Sequence, residues 1–325
     1  MTINTRNEVL ELLKMPDDEF NRTIRPKAVE LLKDKAQNTL YGAAMLGYSN
    51  ICRCKCLYCG MRAPNSGIKR YRLTPPEVEM SITQAKELGF SNIFFVSGED
   101  LGYGFENVLK IIDSAKSAGL FVSLAGGEWN RSQFFEMKEH GLDEYVLKFE
   151  MSDPETFNRL NPSTSFEHRM ESIGWIKEAS LYLASGNIID FPGQTLEQLA
   201  DDIWLMKELN ISWAPLLPFL PAVGTPLANE GGPGRLSLLY KEISLTRILL
   251  PDIKITAQQP SSDPSKGLAT YEGNMASIEA GANMLFYDLL SDALAKNFVV
   301  VDNRSLAGIA HMEQLAKDKD MKLFL

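Results

Sequence analysis

Outside one octapeptide the 325-residue chain contains no cysteine. A disulfide framework is therefore excluded, because such frameworks spread their cysteines to staple distant loops. Only three histidines are present, His140, His168 and His311. None shares a ligand spacing with the cysteines, and a second cysteine pair is missing, so a two-pair zinc site is not expected. No charge-free apolar run reaches the roughly 18 residues of a membrane span. The most apolar loop-like stretch, 213–227, carries Pro215, Pro218, Pro221 and Pro226, which would break a spanning helix. The first residues, MTINTRNEVLELLK, have no apolar signal core, and a cytoplasmic protein is expected. Basic residues are not in excess: 33 Lys+Arg against 42 Asp+Glu leave a net charge of −9, a poor match to nucleic acid. No repeat of solenoid period is found, and no Pro-, Gly- or Ser-rich linker divides the chain.

What is present is a globular balance, 45% hydrophobic against 23% charged, which argues against disorder. An apolar β-like run, a polar or Gly-rich turn and an amphipathic helix recur. Strands are predicted at 43–48, 92–96, 120–124, 145–149, 182–189, 213–219, 253–257 and 283–287. Helices are predicted at 75–88, 105–118, 132–140, 165–179, 196–209, 237–249 and 275–280. Thr74 before Pro75 and Pro76, and Thr195 before the Leu196 run, are helix-start signals; Gly89, Gly119 and Gly141 are stop signals. Strict alternation implies parallel strands with right-handed crossovers. Eight of them predict an α/β chain built as a (β/α)8 TIM-type barrel over 39–295. An N-terminal helical layer (1–38) and a C-terminal cap (296–325), with a strand at 298–301 and a helix at 306–317, complete one structural domain.

In such barrels the working loops follow the C-terminal ends of the strands. There this sequence carries 52–59, Ser97-Gly98-Glu99-Asp100, Ala125-Gly126-Gly127-Glu128-Trp129, Glu150 and Phe191-Pro192-Gly193-Gln194-Thr195. The loop 52–59 holds all four cysteines, Cys52, Cys54, Cys56 and Cys59. Thiols this close are suited to a metal or cluster held between them. Cys52-x3-Cys56-x2-Cys59 supplies three thiolates. Thiolates are the usual ligands of a [4Fe–4S] cube, and three of them leave one iron open to a small molecule. Cys54 lies outside that spacing and is read as a spectator thiol.

At this point the chain resembles the radical S-adenosylmethionine (radical SAM) superfamily, whose signature is C-x3-C-x2-C after the first barrel strand, with an aromatic before the last Cys, here Tyr58. NICRCKCLYCGMR, KRYRLTPPE (69–77), SGED (97–100), GGEW (126–129), TSFEHR (164–169), FPGQT (191–195), PFLPAVGTPLANE (218–230) and LTRILLPD (245–252) resemble the HydE and PylB branch, relatives of biotin synthase. The resemblance implies that Cys52, Cys56 and Cys59 ligate the cluster and that its open iron chelates the methionine end of S-adenosyl-L-methionine. It implies that Glu99 takes the methionine ammonium, Arg169 its carboxylate and Glu150 the ribose hydroxyls, with Ser97, Gly98 and Ser123 lining the methionine end. A low-potential electron donor of ferredoxin or flavodoxin type, a small-molecule or metal-complex substrate, and a monomer are implied as well.

The sequence departs from that branch on the substrate side. Lys148-Phe149-Glu150 stands where HydE has Arg-His before the glutamate, and 256–261 reads TAQQPS in place of a Thr-Thr-Ala-Met-Gly-Thr run. Arg70, Lys148, Thr256 and Gln258 are candidates for lining the substrate space, while Arg70 and Arg72 also fit a brace for the cysteine loop. The accessory C-terminal cysteines of some relatives are absent, and no second cluster is expected. Three functions stay open: a HydE-like maturase, a PylB-like amino-acid mutase or another radical reaction, and a non-catalytic Fe–S carrier. A metal-free barrel enzyme would need a strand-end Lys, for which only Lys148 offers itself.

Overall fold

The computed structural model describes residues 2–325. Eight parallel strands follow one another around a barrel: β1 (Thr39–Ser49), β2 (Asn92–Ser97), β3 (Phe121–Ala125), β4 (Glu144–Val146), β5 (Tyr182–Ala184), β6 (Trp213–Ala214), β7 (Lys254–Ile255) and β8 (Met284–Asp288). β8 pairs back onto β1 through five register positions. The β7–β8 seam is one bridge wide, Thr256 to Met284. Asn283 N–H donates to Ile255 O (2.9 Å) and Ala257 N–H to Met284 O (2.7 Å) across it. Phe94, Trp213 and Phe286 meet at centroid distances of 5.2–5.9 Å, and Trp213 Nε1 donates to Thr256 Oγ1 at 3.0 Å.

Most helices lie where the caps put them. Thr74 with Glu77 and Thr195 with Gln198 form capping boxes at the starts of Pro75–Glu87 and Leu196–Leu209. Three N-terminal helices, Arg6–Lys14, Asp17–Thr23 and Arg25–Asp34, cover the outside of Leu196–Leu209 and Leu236–Leu249. Lys241, 6% exposed, fastens them by donating to Leu13 O and Met15 O.

Four strands, β4, β5, β6 and β7, are shorter than their apolar runs. Predicted 182–189 and 213–219 each break in two, leaving the pair Ile188–Ile189 and Leu217–Pro218 as a separate ladder. The Ser185 hydroxyl accepts the Phe149 N–H and donates to Leu147 O, so a side chain replaces the ladder and also ends β4 early. Pro215 brings no donor to continue β6.

The expected strand at 298–301 does not form; those residues run as a strap. Phe298 is fully buried against Gly47, where a Cβ would lie 2.7 Å from its ring. Val300 O accepts from Gly60 N–H, Asp302 from Val223 N–H, and Ser305 O from Gln258 Nε2. The strap thus joins loops after β1, β6 and β7. The strand formed near this end is Lys322–Phe324, parallel to the start of β1.

Two buried polar groups hold this frame. Arg247, 0% exposed, donates to Gly281 O, Pro251 O, Ile253 O and Asn283 Oδ1, and that same Oδ1 accepts the Ile255 N–H. Side chains thereby make up for the thin β7–β8 ladder. Asp202 accepts from Ser152 N–H, Ser152 Oγ, Asn187 Nδ2 and Gln194 Nε2, tying the loops after β4 and β5 to helix Leu196–Leu209. Burial raises its carboxyl from 3.8 to about 7 against those donors.

Arg247→Met takes the side-chain donor from three backbone carbonyls, those of Gly281, Pro251 and Ile253, and is expected to cost about 3 kcal/mol, read as a lower urea midpoint. Because Asp202 keeps its proton to about pH 7 when folded, against 3.8 ordinarily, folding takes up protons between those values and stability falls as pH rises through them. Asp202→Asn should flatten the decline of the urea midpoint across that interval; an unchanged slope would show that other groups cause it.

Candidate functional site

β1 ends at Ser49, and the chain then crosses the barrel mouth without regular structure. Its polar backbone is met by side chains. Arg70 donates to four carbonyls, those of Asn50, Met61, Arg62 and Asn65, at 2.6–3.1 Å. Arg62 donates to Cys56 O and Lys55 O, and Asn65 to Gly60 O. Arg70 is therefore a brace of the cysteine loop, the second of the two roles offered for it, with its guanidinium engaged by loop carbonyls rather than free for a substrate. Arg72 pairs with Asp100, which also accepts from Ser49 Oγ. Leu57 exchanges backbone bonds with Leu160 and Leu227. Tyr58 donates to Asn161 Oδ1 at 2.6 Å and packs with Met151, Phe157 and Phe219. Burial first, and Glu150 nearby, hold its hydroxyl well above the ordinary tyrosine range.

Two glycines let the loops close in. A Cβ on Gly98 would lie 2.3 Å from Ile51 O and 2.7 Å from Cys52 Cβ. A Cβ on Gly127, at φ +91°, would lie 2.3 Å from Glu99 Cγ. Glu99 is thereby seated against the cysteine loop at 9% exposure. Its N–H approaches Cys52 Sγ (3.4 Å), its O accepts Arg53 N–H (3.0 Å), and its carboxylate takes Arg53, Cys54 Sγ (3.5 Å) and Glu128 N–H (3.3 Å). Ser97 bonds the buried Tyr48 hydroxyl beside Gly126.

Arg169 reaches in from helix Phe166–Glu178, with its side chain only 11% exposed. It donates to Glu128 Oε1 (2.6 Å) and to Lys148 O, and lies over Phe157. Thr164 Oγ1 takes the other Glu128 oxygen at 2.7 Å. Glu150 follows β4 in a left-handed conformation, φ +61°, which costs a non-glycine residue about 1–3 kcal/mol. Its backbone bonds Gly186 and Ile188. Glu150 Oε2 is buried without a hydrogen bond, with Lys148 Nζ 3.1 Å away. Glu99, Arg169, Glu150 and Lys148 thus share one barrel mouth with the cysteines.

Three expected residues are committed elsewhere. Ser123, expected at the methionine end, lies two residues short of the end of β3, and its hydroxyl donates to buried Glu144 at 2.7 Å. Thr256 accepts from Trp213, and Gln258 bonds the strap and Phe286 N–H, so their polar groups are used in holding the barrel. Residues that sequence reasoning passed over are Arg53, the counter-charge of Glu99, and Glu128, the counter-charge of Arg169. Only the GGEW motif pointed to Glu128; for Arg53, lodged between two cysteines, no signal stood out.

Burial pushes the Cys59 thiol up to about 12, and Cys54 together with burial raises Cys52. Ligation by these thiols therefore needs a cationic partner strong enough to displace their protons. Among the described residues no three His, Cys, Asp or Glu side chains close on a single metal ion, and no helix is long and apolar enough to cross a membrane.

Comparison with known proteins places the chain in a family. Residues 46–205 match the model of the Radical SAM superfamily. The chain is 35% identical to the [FeFe] hydrogenase maturase subunit HydE of Thermotoga maritima over 86% of its length and 79% of that protein. It is 24% identical to 3-methylornithine synthase of Methanosarcina acetivorans, covering 96% of this chain and 87% of that one. The crystal structure of methylornithine synthase (PylB) superposes with a TM-score of 0.83 at 21% identity, over 99% and 94% of the two chains, and shares its fold. The chain belongs to the radical SAM superfamily of enzymes, in the branch that contains HydE and PylB.

Proposed function

We propose that this chain holds a [4Fe–4S] cluster on Cys52, Cys56 and Cys59 and binds S-adenosyl-L-methionine beside it. The carrying observation is the shared mouth: the three-cysteine loop packs directly on Glu99, with Arg169 and Glu150 around it. The donor set suits the cluster, and the Glu150 carboxylate, whose Oε2 makes no hydrogen bond within the chain and is faced only by Lys148, suits a ligand that brings hydroxyl donors. Held by Cys52, Cys56 and Cys59, the reduced cluster would supply one electron to the sulfonium, breaking its S–C5′ bond to give methionine and a 5′-deoxyadenosyl radical.

The chain's own residues do the rest. Glu99 receives the ammonium and Arg169 the carboxylate of the methionine end. Glu150, strained and buried, holds the ribose hydroxyls. Gly98 keeps the second loop close to Cys52, and Ser97 steadies Tyr48 behind it. Lys148 faces the substrate beside Glu150 and supplies one positive charge there. HydE-like maturation of a small-molecule or metal-complex cofactor is the reading favoured by 35% identity across most of both chains. A low-potential ferredoxin or flavodoxin would donate the electron to this cytoplasmic enzyme.

Anaerobic reconstitution with iron and sulfide, reduction and addition of S-adenosyl-L-methionine test the proposal. A cluster EPR signal that changes with the added ligand, and release of 5′-deoxyadenosine, are expected, and Cys56→Ala should abolish both. A cluster that S-adenosyl-L-methionine neither perturbs nor meets with cleavage would make the chain an Fe–S carrier instead.

A further inference from the structure

Thr256 and Gln258, expected to face the substrate from β7, are engaged in holding the barrel. A charged side chain that no motif signalled reaches the barrel interior instead. Asp288 ends β8 and pairs in register with Met45. It stands two residues after Phe286, whose ring meets Phe94 and Trp213 inside the barrel, so Asp288 points inward as well. Arg304 comes down onto it from the strap. Its Nη1 donates to Asp288 Oδ2 at 2.8 Å, and its guanidinium lies 5.0 Å from the Phe298 ring centroid.

The strap is shaped to deliver this side chain. Asn303, just before it, takes a left-handed conformation at φ +52°, which asparagine tolerates better than most residues. Ser305, just after it, accepts the Leu268 and Ala269 N–H groups on its hydroxyl and Gln258 Nε2 on its carbonyl. Gly267 admits the turn: a Cβ there would lie 2.3 Å from Asn303 O and 2.4 Å from Ser305 Oγ. Arg304 is thus fixed through both neighbours, and its side chain is only 5% exposed. Yet among the described residues Asp288 supplies its only oxygen acceptor. Nη2 has the Met45 thioether at 3.7 Å, a weak acceptor, and Nε has no partner. Arg70, by contrast, meets four carbonyls.

The free edge has a definite shape. With Nη1 taken by Asp288, Nε and Nη2 offer two parallel N–H groups, the fork that a planar carboxylate accepts. Charge points the same way. Arg304 balances Asp288, and Lys148 balances Glu150. S-adenosyl-L-methionine brings one net positive charge in its sulfonium, and a substrate with one carboxylate offsets it within a half-buried site. An eight-stranded barrel holds one small ligand at most. We propose that Arg304 anchors the substrate, a small molecule with a free carboxylate, through its Nε–Nη2 edge. The inference rests on the proposed function and names a chemical class for its substrate. Asp288 acts through Arg304 and is a positioning residue.

Binding rather than turnover tests the anchor. The full chain is reconstituted anaerobically, left oxidised so that no cleavage occurs, and saturated with S-adenosyl-L-methionine. Succinate and the common L-amino acids are titrated, each beside its carboxamide, and ligand-detected NMR gives the Kd values. At least one carboxylate should bind wild type about tenfold more tightly than its amide. Arg304→Gln should bring that ratio to within about twofold, and Arg304→Lys, which keeps the charge but loses the fork, should fall between. The double variant Asp288→Asn with Arg304→Gln leaves no unpaired carboxylate behind; it should lose the preference too and serves where the single variant does not fold. Absence of any carboxylate preference in wild type overturns the anchor. So does a preference kept by the double variant, whether or not Lys148→Gln removes it. Reduced portions of the wild-type sample report the cluster EPR signal. A signal that S-adenosyl-L-methionine leaves unchanged overturns the proposed function and the anchor with it, whereas a normal response without carboxylate preference overturns the anchor alone.

Discussion

The C-terminal face depends on how a loop without secondary structure is held. From Asn50 to Arg70 the chain leaves the barrel ladder, and its carbonyls would stay unmet in a half-buried setting. The Arg70 guanidinium meets four of them at once, and Asn65 and Arg62 meet three more. Arginine suits this task because its planar fork carries five donors and keeps its charge. With the carbonyls secured, the cysteines stand at set positions, Gly98 can pass against Ile51, and Glu99 can seat itself beneath Arg53.

The charges at the mouth come in alternation. Arg53, Glu99, Glu128 and Arg169 balance one another, and Lys148 stands beside Glu150. A chain of net charge −9 thus presents a locally balanced mouth. Such a mouth suits a zwitterion, whose two ends each find an opposite charge while the total changes little.

Strand order, helix starts and the placement of the cysteine loop were legible in the residues, because each rests on local chemistry: apolar runs, capping residues, glycine stops. That Glu99 and Arg169 lie at the mouth could be read from SGED and TSFEHR, and that Glu150 does so from its place after the fourth strand. What escaped depended on contacts between distant segments. Ser185 interrupts two strands by offering its hydroxyl to β4, a pairing 36 residues apart that no periodicity records. The run 298–301 has strand-forming composition, yet Phe298 is drawn into the space over Gly47 and the run becomes a strap. Ser123 carries the residue type expected at a polar ligand, but its level in β3 sets it against Glu144. Arg53 was hidden because its partner lies 46 residues away in another loop.

The strap has a consequence for the making of the protein. Gly60 receives Val300, Asn50 receives Asn297, and the start of β1 receives Lys322–Phe324, each pairing a residue made early with one made more than 235 positions later. A ribosome adds on the order of 5–20 residues per second, so the first-formed strand and the loop after it wait on the order of ten seconds or more for these partners. During that interval the nascent chain exposes a parallel edge and reactive sulfur at the same place. The early strand therefore stays an open parallel edge until residues 322–324 have been made.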